Sequence, residues 1–189
     1  MTLSGGTVVL IVGWVGSEIG LGFARRSSDR ASVSHDRSSL QILWITISLS
    51  VMMGVLLAGR RWSAFGDRGA GWETAGVAVI LAGLALRWWA ILSLRHAFTV
   101  DVAVTIGQRV IESGPYRFVR HPAYTGVLLS FAGLGVLLRH WTSILVILVP
   151  ITIALLHRIG IEERALQAGL GEAYTDFMRR KRRLVPFIY

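Results

Sequence analysis

The chain has 189 residues, 53% of them hydrophobic and only 16% charged, with seven tryptophans and a mean hydropathy of +0.56. A soluble domain of this size would lack the polar side chains to cover its surface, and the apolar residues fall in the long blocks that a lipid-facing helix needs. The net charge of +9 does not argue for nucleic acid, because the basic residues gather at the ends of apolar runs, as on the cytoplasmic side of a membrane protein.

The first apolar block, Leu3 to Ala24, has no basic stretch ahead of it and no small-residue cleavage site. It reads as a retained span and not a signal peptide. Glu18 inside it is either a buried partner for an intramembrane base or a residue near the membrane surface. Gly16 and Gly20 form a G-x-x-x-G pair suited to close helix packing. Residues 25–39 are polar, serine-rich and punctuated by arginines, which marks a loop. Leu40 to Ala58 is an uncharged stretch of 19 residues, close to the roughly 20 that a spanning helix requires.

Gly59 to Glu73 reads as a second loop and Thr74 to Leu94 as a third span. That span holds one charge, Arg87, beside Trp88 and Trp89. It either snorkels to the interface or faces a polar cavity in the bundle. After the polar residues 95–122, Ala123 to Leu138 and Trp141 to His157 are uncharged. They predict a helical hairpin turning at Arg139-His140-Trp141, with a kink at Pro150. In the tail, Ile161, Ala165, Leu166, Leu170, Tyr174, Phe177 and Met178 recur at helical spacing between charges. This predicts one amphipathic helix over Ile161 to Arg183, ending in a basic run, residues 179–183, suited to anionic headgroups.

With five spans, fifteen basic residues fall on the side of loop 25–39, loop 95–122 and the tail, against four on the other. That asymmetry puts the C-terminus in the cytoplasm. The expected architecture is an all-α polytopic membrane bundle of five transmembrane helices with a C-terminal amphipathic cytoplasmic helix. Lysine is nearly absent (only Lys181) while arginine is plentiful, a bias of GC-rich bacterial genomes. The expected location is therefore a bacterial cytoplasmic membrane.

Without cysteine, disulfides, thiolate metal sites and cysteine nucleophiles are excluded, and neither a metal nor a nucleic acid is an expected partner. Two polar clusters remain as candidates for chemistry. The first is QRVIESGPYRFVRHPAYTG, residues 108–126. Gly114-Pro115 marks a turn, Pro122 suits the first turn of a helix, and the backbone amides before that helix are open to a ligand. The second is Arg158 with Glu162-Glu163; Arg158 and Glu162 share a helix face. The same residues also suit structural duties: Tyr116, Arg120 and Tyr124 as interface anchors, His121 as a loop residue, Arg158 with Glu162 as a helix ion pair.

Gly114-Pro115-Tyr116, Arg120-His121-Pro122-x-Tyr124-x-Gly126, Glu162-Glu163-x-x-Leu166 and Gly171-x-x-Tyr174, in that order, resemble the isoprenylcysteine carboxyl methyltransferase family, which is similar in turn to membrane phospholipid methyltransferases. The resemblance covers about the last half of the chain, from Phe98 to Pro186. It implies a membrane-embedded methyltransferase using S-adenosyl-L-methionine without a Rossmann domain, and no G-x-G-x-x-G follows a predicted strand. Residues 1–94 would then supply three transmembrane helices and 95–189 the catalytic half.

Carried over from the family, Gln108, Arg109, Val110 and Ile111 would contact the cofactor. Tyr116, His121, Pro122, Ala123 and Tyr124 would complete its pocket. Glu163 would face its ammonium group, and Arg158 would be the catalytic, substrate-binding residue. The implied acceptor is an isoprenylcysteine-like carboxylate or another lipidic or isoprenoid small molecule drawn from the membrane lipid. Such a carboxylate needs positioning and not a base, whereas an amine acceptor would call on His121 or Glu162. Two other readings are a membrane NADPH-dependent reductase of the steroid-reductase type and a non-enzymatic scaffold or transporter half, in which Glu18 and Arg87 would be the working charges.

Overall fold

The computed structural model describes residues 4–24, 37–59, 64–65, 70–94 and 110–186. These carry the helices α1 Gly5–Ala24, α2 Arg37–Ala58, α3 Ala70–Leu94, α4 Pro122–Leu138, α5 Trp141–Leu170 and α6 Glu172–Arg180, with a short 3-10 turn at Gly114–Arg117 before α4. Among the described residues three helices are long and apolar enough to cross a membrane, within α2, α3 and α5; Gly5–Leu21 and Pro122–Leu138 are apolar but shorter.

The tail departs from the single amphipathic helix expected over Ile161 to Arg183. α5 continues without a break through Pro150 and past His157 to Leu170. Thirty residues at about 1.5 Å each give about 45 Å, some 15 Å more than a ~30 Å hydrocarbon core. The same helix can therefore cross the bilayer, with Arg158 at the edge of the hydrocarbon core and Glu162 and Glu163 beyond it. It stops at Gly171, whose φ of 61° is a conformation that glycine adopts without strain. α6 then turns Tyr174 and Phe177 inward.

The main packing units are α3 on α4 and α2 on α5. Glycines seven residues apart let α3 and α4 touch along their backbones. A Cβ at Gly83 would lie 2.6 Å from the Gly126 carbonyl, and one at Gly133 would lie 2.8 Å from that of Gly76. Small residues give membrane helices the close approach that dispersion contacts need when lipid is as apolar as leucine. The core then fills with Ile80, Phe131, Leu134, Leu137, Ile147, Ile151 and Leu155.

α1 is held by side chains. Ser4 N and Thr7 Oγ1 donate to Glu73 Oε1 at 2.9 and 2.5 Å, Trp14 packs on Phe131 at 5.1 Å, and Arg87 donates through both Nε and Nη2 to Glu18 at 2.5 Å. Glu18 thus has a basic side chain as its partner, as one of its two readings expected, and Arg87 faces it. Gly16 and Gly20 have nothing within 4 Å of a built Cβ, so their expected packing is not made within the described residues.

The bundle has two unlike ends. At one, Phe65 sits between Trp72 and Trp141 at 5.1 and 4.5 Å, and the α4–α5 hairpin turns at Arg139, which adopts a left-handed φ of 53°. There Ser143 Oγ, beside the buried His140, donates to the Gly54 carbonyl at 2.7 Å and ties α5 to α2. At the other end, the start of α2, the end of α3, the start of α4 and the overhang of α5 converge with the 3-10 turn and the tail.

Candidate active site

Pro115 and Pro122 shape the segment that builds this end. Pro115 starts the 3-10 turn, and Pro122 opens α4 at the position where its missing N–H costs nothing. A side chain at Gly114 (φ 60°) would collide with Ser93, so this turn rests directly on α3. Tyr116 is thereby buried among Ala90 and Ala123.

Two neighbouring carboxylates on α5 face different partners. Glu162 Oε2 accepts from Tyr124 OH at 2.8 Å. The same hydroxyl accepts from Arg158 Nε at 3.1 Å, and Arg158 Nη1 donates to Ser39 Oγ at 3.0 Å. Arg158 and Glu163 are both only 3% exposed. Glu163 collects three cationic or ring donors. Arg183 donates through Nη2 at 2.7 Å and Nε at 3.1 Å to Oε2, His121 Nε2 lies 3.3 Å from Oε1, and Arg120 Nη1 lies 2.9 Å from Oε1. The Arg120 contact is one of charge: its buried Nε and Nη1 have no hydrogen-bond acceptor among the described residues. His121 also stacks on Tyr124, ring centroids 5.7 Å apart.

The expected site residues Tyr116, His121, Pro122, Ala123, Tyr124, Arg158 and Glu163 therefore come together at one end of the bundle. Val110 and Ile111 lead into the turn, half-buried. Gln108 and Arg109 lie outside the described residues. Burial and the negative field of Glu162 push the phenol of Tyr116 above its ordinary range; burial with Glu162 and Glu163 does the same to Tyr174.

The backbone amides expected to be open before α4 are in part occupied. Arg120 N donates to the Arg182 carbonyl at 2.8 Å and His121 N to that of Arg183 at 2.9 Å. Thr125 Oγ1 adds a bond to the Leu184 carbonyl at 2.7 Å, and Lys181 Nζ one to the Arg117 carbonyl at 2.6 Å. Arg180 clamps Glu112 at 2.7 and 3.0 Å. Much of the basic run expected to meet lipid headgroups is thus spent on strapping the turn to the protein. Sequence reasoning missed Arg183 and Ser39, since neither stands in a motif; a carboxylate destined for burial beside a basic tail was the one available signal for Arg183.

A family model described as the isoprenylcysteine carboxyl methyltransferase (ICMT) family matches residues 76–168. The chain is 28% identical over 123 residues to the uncharacterized protein YpbQ of Bacillus subtilis (strain 168), covering 65% of this chain and 69% of that one. It is 29% identical over 115 residues to protein-S-isoprenylcysteine O-methyltransferase B of Arabidopsis thaliana, covering 60% of this chain and 58% of the plant protein. A solved structure of the eukaryotic intramembrane Ras methyltransferase ICMT shares the fold, with a TM-score of 0.57 at 22% identity. The match covers 81% of this chain and 54% of that one, so the chain spans little more than half the length of these eukaryotic proteins.

Proposed function

The chain belongs to the isoprenylcysteine carboxyl methyltransferase family through residues 76–168, and on that premise we propose that it is a membrane enzyme transferring a methyl group from S-adenosylmethionine to the carboxylate of an isoprenylcysteine-like or other lipidic acceptor. The observation that carries the reading is the buried Arg158, held by Ser39 and Tyr124 one helix turn from Glu162 and Glu163, beside the R-H-P-x-Y turn. The family match does not favour the reductase or the scaffold.

The residues present suit the cofactor. S-adenosylmethionine supplies, when bound, a methyl group on a cationic sulfonium. Its amino-acid end carries both charges, and the buried Glu163 stands beside the unused N–H groups of Arg120. Three side chains already share Glu163, so an ammonium arriving there joins or displaces them. Arg158 would hold the acceptor's carboxylate, which is ionised at neutral pH and needs no general base. Burial at the membrane edge strips water from that carboxylate and raises its reactivity.

The topology we propose is five spans with the site at the cytoplasmic end. It is supported by the charge asymmetry of the loops and by the convergence of Ser39, Tyr124, Arg158 and Arg183 at one end of the bundle. A lipidic acceptor would reach Arg158 from the bilayer, the cofactor from the cytoplasm.

Calorimetry of the purified protein tests the reading. Micromolar binding of S-adenosylhomocysteine without binding of NADPH is expected; no binding, or preference for NADPH, overturns it.

A further inference from the structure

Ser39 stands in the first turn of α2, outside the 76–168 stretch that carries the family match. It is nevertheless 2% exposed, and its Oγ receives Arg158 Nη1 across 119 residues of sequence at 3.0 Å. Another grip on Arg158 comes from α4, where Tyr124 OH accepts from Nε at 3.1 Å and donates its own hydrogen bond to Glu162. Each of these two partners is a hydroxyl, which orients the guanidinium by accepting from it without itself adding a negative charge.

The long side chain of arginine has rotamer freedom to lose when it is fixed. A guanidinium already fixed from two helices loses that freedom on folding, before the substrate arrives, which is the form of preorganisation that raises the rate of a positioned reaction. We propose that Ser39 is a positioning residue that aims Arg158 at the acceptor's carboxylate, so that α2 contributes to the reaction through one hydroxyl. The inference rests on the role proposed for Arg158 in the preceding section.

Two measurements on the full chain in detergent test it separately. In side-chain ¹⁵N spectra, Arg158 of the wild type should show resolved, slowly averaging Nη signals that merge in Ser39→Ala. With N-acetyl-S-farnesylcysteine as probe acceptor, Ser39→Ala should lower kcat about 10- to 100-fold, leave S-adenosylhomocysteine affinity within about twofold, and be rescued to within about threefold by Ser39→Thr. In an Arg158→Lys background the same Ser39→Ala change should cost less than about twofold, because the group it aims is gone. An Arg158 signal unchanged by Ser39→Ala overturns the anchoring, and equal losses in both backgrounds, or a parallel loss of cofactor affinity, overturn the positioning role. Wild-type protein that transfers no methyl group overturns the functional reading on which the role depends, whatever the spectra show.

Discussion

Arg183 Nη2 lies 2.7 Å from Glu163 Oε2, so the last basic residue of the tail closes on the carboxylate that α5 carries beyond its apolar stretch. The contact explains why the tail runs beside the R-H-P-x-Y turn: Glu163 is 3% exposed, and a buried carboxylate must be matched by charge or hydrogen bonds. Arg183→Ala removes one of the three side chains that share Glu163. Its side chain is 34% exposed, so the loss should be about 1–2 kcal/mol, below the ~3–5 typical of a fully buried pair. Hydrogen exchange at the amides of Arg120 and His121, which bond the tail, should speed up at least tenfold. Glu163→Ala should cost more, because it removes the carboxylate that Arg120, Arg183 and His121 share. Unchanged exchange in Arg183→Ala would refute the strap.

The Glu18–Arg87 pair fastens α1 to α3 inside the bundle. Each side chain is only 13–15% exposed, so losing either partner leaves a charge without its counterpart in an apolar setting. Glu18→Gln and Arg87→Met should each destabilise the protein by about 3 kcal/mol, and the double variant by clearly less than their sum. Unfolding in bicelles measures all three. Additive losses would mean that the two residues act independently.

The glycines make opposite predictions on α1 and on the α3–α4 pair. Gly83→Ala and Gly126→Ala set a methyl group 2.6 Å from a facing carbonyl, and backbone cannot yield as a flexible side chain can. Each should cost about 1–3 kcal/mol and weaken cofactor binding, since α4 begins with the site residues Pro122 to Tyr124. Gly16→Ala and Gly20→Ala meet nothing within 4 Å and should be neutral or slightly stabilising, by helix propensity. Equal thermal shifts for the two groups would contradict the packing described here.

The candidate site was legible where its chemistry sits in local patterns. The proline-bounded turn, the R-H-P-x-Y segment and the adjacent glutamates of α5 are each set within a few residues of sequence, and the structure brings them together. The bonds that hold them were not legible. Arg158 with Ser39, Arg183 with Glu163 and Arg87 with Glu18 join residues between 20 and 119 positions apart, and no periodicity encodes such a partner.

Read alone, the sequence determined that this protein is helical and apolar in long blocks, because spacing and composition are local and each helix satisfies its own backbone. It also located the polar end of the chain's second half. Only the tertiary structure decided that α5 runs unbroken to Gly171, that the basic tail turns back onto the protein, and that Glu18 and Arg87 pair. The reason is physical: a charge reads the same in sequence whether water, a headgroup or another side chain neutralises it, and only packing selects among them.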